Sequence, residues 1–305
     1  MDWVKPRALR PGGTVGVVAP SGPVDVERLV RGLGVLRGCG LRPALAAGLL
    51  ERRPGLAGED AVRAEGLRAM LLDPDIDAVV CARGGYGAMR ILPECDFAAL
   101  RRAPKPLLGF SDVTALHVAA GAARVVTYHG PMVECEAVGE EDLRAALAVL
   151  GSREPLGPLA WPAAAPQPRT LHPGRAEGRV AGGNLTLLAA TLGTPWEVDV
   201  AGCLLLLEDV GESAYRLDRC LTQLWLAGKL QAAVGFLLGE LVGCGDPEGP
   251  TGLEVLARRL LPLGKPCLAE LPLGHGRHRL TVPLGVRAVL DADAMGLTVT
   301  EAAAV

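Results

Sequence analysis

The feature that most constrains this chain is the alternation of short apolar runs with amphipathic stretches through its first half. Thr14-Val15-Gly16-Val17-Val18-Ala19 has the length of a buried strand and is stopped by Pro20-Ser21-Gly22-Pro23. Val24 to Gly38 follows, with Val26, Leu29, Val30, Leu33 and Leu36 on one helical face. Gly40 to Ala44 returns as a strand, and Asp60 to Leu72 reads as a helix ended by Asp73-Pro74. Ala78 to Ala82 and Pro106 to Phe110 are further strands. Strand and helix in alternation predict an α/β fold, with a parallel sheet covered by helices on both faces. In such sheets ligands gather at the carboxyl ends of the strands, so residues there are the first to test for chemistry.

The pattern breaks at residues 151–174, where Pro155, Pro158, Pro162, Pro166, Pro168 and Pro173 rule out an internal helix. The expected division is an N-terminal α/β domain over 1–150, a proline-rich linker over 151–174, and a smaller mixed α/β domain over 175–305. The second part holds a helix starting near Asn184, the apolar strand Cys203 to Glu208, and a helix near Ser213 to Ala227.

Composition excludes several functions. A net charge of −3 over 305 residues offers no basic footprint for nucleic acid. The apolar runs are far shorter than the ~20 residues a membrane span needs, and no apolar segment follows the basic start as in a signal peptide. A cytoplasmic protein without membrane attachment is expected. The eight cysteines are scattered with no Cys-x-x-Cys pair, which argues against a disulfide framework or zinc ribbon. His275 and His278 are three apart, but Gly276 and Arg277 between them disfavour a metal-ligating helix.

The sharpest chemical signal is Gly109-Phe110-Ser111-Asp112, where an apolar strand runs straight into a helical pattern. A serine at that corner places its hydroxyl at the sheet edge beside a helix N-terminus, as a nucleophile elbow does. Val113 replaces the glycine of the α/β-hydrolase version, and a plain helix cap by Ser111 or Asp112 is the competing reading. A nucleophilic serine needs a histidine base and an acid to orient it. His129 in Tyr128-His129-Gly130 and His275 in Gly274-His275-Gly276 both end apolar runs at glycine turns, and the residues alone do not choose between them. Glu208 closes the apolar strand Cys203 to Leu207, where a carboxylate is costly unless partnered. Arg83-Gly84-Gly85-Tyr86-Gly87, directly after a strand, can present backbone N–H groups to an anion. It lacks the Gly-Lys-Thr of a P-loop, which leaves a phosphate-binding module without catalysis as a weaker reading.

Together these segments resemble the LD-carboxypeptidase, or muramoyl-tetrapeptide carboxypeptidase, family. The resemblance runs through Val17 to Ser21, Arg83 to Gly87, Gly109 to His117, His129-Gly130-Pro131, Gly182 to Leu185, Leu207 to Val210, Pro272 to Gly276 and Pro283-Leu284-Gly285. It implies a Ser111–Glu208–His275 triad and an oxyanion hole from the amides of Gly85 and Asp112. Arg83, Tyr86 and His129 are expected to contact substrate. No metal or cofactor is expected, and a homodimer is. The implied reaction releases terminal D-Ala from a murein tetrapeptide at an L,D amide bond through an acyl-enzyme on Ser111. The family also contains immunity peptidases that cleave microcin-like aminoacyl-adenylates, which is the alternative within it.

Overall fold

The computed structural model describes residues 2–136 and 139–305. In the first half the strands are Thr14–Val18 (β1), Arg42–Leu45 (β2), Ala78–Cys81 (β3), Leu107–Gly109 (β4) and Thr127–His129 (β5). The helices between and after them are Val26–Gly38 (α1), Asp60–Leu72 (α2), Phe97–Arg102 (α3), Thr114–Ala122 (α4) and Glu140–Gly151 (α5). Asp25 caps α1 by accepting from the Arg28 amide, and α1 turns Leu29, Leu33 and Leu36 inward. β3 is buried at every residue, as a central parallel strand must be when helices cover both faces.

The second half contributes Gly157–Pro158 (β6), Arg169–His172 (β7), Arg175–Asn184 (β8), Cys203–Val210 (β9), Gly235–Val242 (β10), Cys267–Leu271 (β11), Val282–Leu284 (β12), Arg287–Asp291 (β13) and Gly296–Val299 (β14). Its helices are Leu185–Ala190 (α6), Ala214–Leu226 (α7), Lys229–Ala232 (α8) and Gly252–Leu260 (α9).

Two sheets result, in a mixed α/β architecture. The first has the order β12-β5-β4-β3-β1-β2 and the second β6-β14-β13-β8-β9-β10-β11-β7. β1 to β5 run parallel, and β1 has β2 on one side and β3 on the other. That reversal of strand order opens a crevice beyond the carboxyl ends of β1 and β3. In the second sheet β8, β9, β10 and β11 are parallel and the outer strands antiparallel.

Two connections differ from the sequence expectation. The proline-rich stretch 151–174 carries two strands, β6 against β14 and β7 against β11, at the two edges of the second sheet. An edge position tolerates proline because one side of the strand needs no ladder hydrogen bonds. The late strand β12 leaves the second half altogether and pairs antiparallel with β5, Val282 opposite His129. Among the described residues no helix is long and apolar enough to cross a membrane.

Candidate active site

Ser111 follows β4 and has φ 64°, a left-handed conformation that a non-glycine residue adopts only at a cost. The chain turns there from strand into the short 3₁₀ turn Ser111–Val113 and then α4. The turn has no side-chain cap, so neither Ser111 nor Asp112 serves the helix end. Gly84 explains why the serine has room to stand there. A Cβ on Gly84 would lie 3.0 Å from Ser111 Cβ and 3.1 Å from its Oγ.

His275 supplies the partner. Its Nε2 lies 3.0 Å from Ser111 Oγ, and its Nδ1 lies 2.7 Å from Glu208 Oε2. A carboxylate at Nδ1 holds the proton there and leaves Nε2 free to accept from a hydroxyl. Glu208 is fully buried on β9, and burial pushes its carboxyl above the usual range although the imidazole opposes the shift. Gly274, at φ 104°, lies flat against the Glu208 carboxyl, where any Cβ would collide. Phe110 packs edge-to-face on the His275 ring at 4.9 Å between centroids. The three residues that the sequence placed at strand ends and a glycine turn thus form one continuous hydrogen-bonded line.

His129 is not part of it. It is fully buried as the last residue of β5, with β4 on one side and β12 on the other. Burial pushes its imidazole down to about 3, so it stays neutral. It packs toward the site through Phe110, 6.0 Å away between ring centroids, and it is not among the residues lining the cleft. His117 is also buried, bonded to Thr127 Oγ1 at 2.9 Å and Gly109 O at 2.8 Å. Tyr86 is 60% exposed and likewise lies outside the cleft lining.

The cleft above the triad encloses about 420 Å³ and is lined by Ser111, His275, Phe110, Gly84, Gly85 and the arginines 28, 83 and 279, among others. The backbone N–H groups of Gly85 and Asp112 donate to no acceptor among the described residues. Two free amides beside Ser111 are what an oxyanion would need. A larger cavity of about 640 Å³ lies beside β10 and α9 and contains no triad residue.

Reading the sequence missed what braces these loops. Asp112 Oδ2 accepts from Ser21 Oγ at 2.6 Å and from the Ala88 amide at 2.7 Å. It thereby ties the turns after β1 and β3 to the residue beside Ser111. Burial pushes the Asp112 carboxyl up, against the pull of these donors. Arg63, buried in α2, donates to the carbonyls of Pro20 and Gly87 and so holds the same two turns from behind. An arginine on an amphipathic helix reads as surface, and nothing local marks this one as buried. Ser21 did stand in one of the segments used for the resemblance, but its partner was not legible.

Family models cover both halves of the chain. The LD-carboxypeptidase N-terminal domain matches residues 15–130 and the C-terminal domain matches residues 177–290. A Streptomyces coelicolor protein provisionally named a carboxypeptidase is 48% identical, covering 97% of this chain and 96% of its own length. The murein tetrapeptide carboxypeptidase of Pseudomonas aeruginosa is 34% identical over 92% of this chain and 94% of its own. The apo structure of the microcin C7 self-immunity protein MccF superposes with a TM-score of 0.89, covering 99% of this chain and 100% of that one. At 23% identity that likeness speaks to the fold alone.

Proposed function

The chain belongs to the LD-carboxypeptidase family, and from that premise we propose that it is a serine carboxypeptidase acting on murein tetrapeptides. The observation that carries the reading is the Ser111–His275–Glu208 line, with contacts of 3.0 and 2.7 Å at the floor of an open cleft. Ser111 Oγ attacks the carbonyl of the terminal L,D amide while His275 Nε2 takes the hydroxyl proton. Glu208 stabilises the imidazolium that forms, without taking the proton itself. The amides of Gly85 and Asp112 receive the oxyanion, a contribution typically worth about 10²–10³ in rate per donor. His275 returns its proton to the departing D-Ala amine. Water, deprotonated by the same imidazole, then releases the shortened peptide from Ser111.

The cleft supports a peptide over an aminoacyl-adenylate. Among the described residues lining it, Phe110 is the one Phe, Tyr or Trp, and its ring already packs against His275 and His129. Among the described lining residues that leaves no free Phe, Tyr or Trp face for a nucleobase to stack on.

The test is D-Ala release from purified murein tetrapeptide by wild type and Ser111→Ala. We expect release by the wild type and a loss of about 10⁴-fold or more in kcat for the variant. Equal activity in both would remove Ser111 as nucleophile. Hydrolysis of an aminoacyl-adenylate analogue with no action on the tetrapeptide would transfer the site to the other branch of the family.

A further inference from the structure

A carboxypeptidase must recognise the free carboxylate of the residue it releases, and three arginines line this cleft. Resting on the reading above, we propose that Arg279 binds that carboxylate and so determines the enzyme's preference for a free C-terminus.

The other two arginines are engaged. Arg28 Nη2 is ion-paired with Glu136 at 2.8 Å, and its side chain is 53% exposed. Arg83 was the expectation from sequence, but its guanidinium donates to Pro23 O at 2.9 Å and to Gly84 O at 3.2 Å. It therefore holds the glycine turn behind the nucleophile. Arg279 differs on both counts. No carboxylate lies within ion-pairing distance of its guanidinium among the described residues, and its Nε is buried without a hydrogen-bond partner. Asp142 accepts from the Arg279 backbone amide at 2.9 Å and not from the side chain. Glu240 lies close enough for Arg279 to pull its carboxyl down, yet burial keeps that carboxyl at about 7. Glu240 therefore offsets the guanidinium only in part near neutral pH. A buried, unspent donor on a cation is costly unless an anion completes it.

Position agrees with chemistry. The Arg279 guanidinium carbon sits 5.6 Å from the centre of the Phe110 ring, the same ring that packs on His275 at 4.9 Å. The departing amine takes its proton from His275, so the carboxylate lies only about 2.5 Å beyond that nitrogen through one Cα. Arg279 stands on the same loop as His275, between β11 and β12. Its planar fork can meet both carboxylate oxygens, which a lysine cannot.

The experiment compares the tetrapeptide with its C-terminal amide, for wild type, Arg279→Gln and Arg279→Lys. Ser111 labelling by a fluorophosphonate is followed in parallel as a report on the triad. Wild type should favour the free acid by about 10²-fold or more in kcat/KM. Arg279→Gln should bring that ratio close to one by losing the acid alone, with labelling preserved, and Arg279→Lys should fall between. An acid-to-amide ratio unchanged in Arg279→Gln would overturn the assignment while leaving the peptidase reading intact. Failure of wild type to cleave either peptide would overturn both.

Discussion

Ser111 and His275 reach the same hydrogen bond by different physical routes. The serine stands at the end of a central strand, in a left-handed backbone conformation, with the flanking turns cross-braced by Asp112 and Arg63. The histidine stands on a loop between strands of two different sheets, and what holds it is side chains: Glu208 at its Nδ1, Phe110 at its face, and the close approach of Gly274. One half of the molecule positions its group by backbone, the other by contacts. Losses in the two halves should therefore look different.

With Ser111 itself left in place, the largest effect is expected where the contact-held half is cut. In Glu208→Gln the amide can turn its NH2 toward His275 Nδ1, which places the ring proton on Nε2 and points it at Ser111. We expect kcat to fall about 10³–10⁴-fold with KM little changed. A loss confined to KM would show that Glu208 is not the orienting acid.

The backbone-held half is probed by Asp112. Asp112→Ala leaves Ser21 Oγ and the Ala88 amide without their acceptor and frees both turns beside the nucleophile. We expect about 10- to 10²-fold in kcat, with most of it restored in Asp112→Asn, whose single amide oxygen can accept from both donors. If Asn is as poor as Ala, the carboxylate's charge matters and the bracing account is wrong.

The smallest effect concerns stability. Glu240, at the end of β10, packs its carboxyl against Gly276 in the His275 loop. Burial pushes it from 4.5 up to about 7, so between those values the folded chain holds a proton that the unfolded chain has lost. Stability from this group is complete below about pH 4.5 and is lost as the pH rises through about 7. Allowing for partial exposure, this amounts to about 1–2 kcal/mol, or a few degrees in Tm. Thermal melts of Glu240→Gln should be flatter than wild type across that window. Parallel curves would remove Glu240 from the loop's support.

The backbone-held half was also the more legible in sequence. Helix α2 lies where the pattern put it, Asp60 to Leu72, and β1, β3 and β4 lie within the runs that predicted them. Local periodicity suffices there because each strand is apolar through its length. Ser111 was readable for the same reason, as a polar residue just past an apolar strand. Glu208, in the other half, was readable as the first charge after an apolar run, although β9 continues beyond it to Val210. The choice between His129 and His275 was not readable from the residues. It depends on β12 pairing with β5 from half the chain away, which leaves His129 inside the sheet. β6 and β7 were hidden by their prolines and by their position as edges, where no alternating pattern is required. Arg279 carried no local signal at all, since its meaning comes from what its neighbours already bind.

The return of β12 to the first sheet has a mechanical consequence. Residues 272–281 are anchored at one end in the second sheet through β11 and at the other in the first through β12. Any rocking of one sheet against the other would therefore be felt first across the tether that carries His275, the residue in hydrogen-bond contact with Ser111.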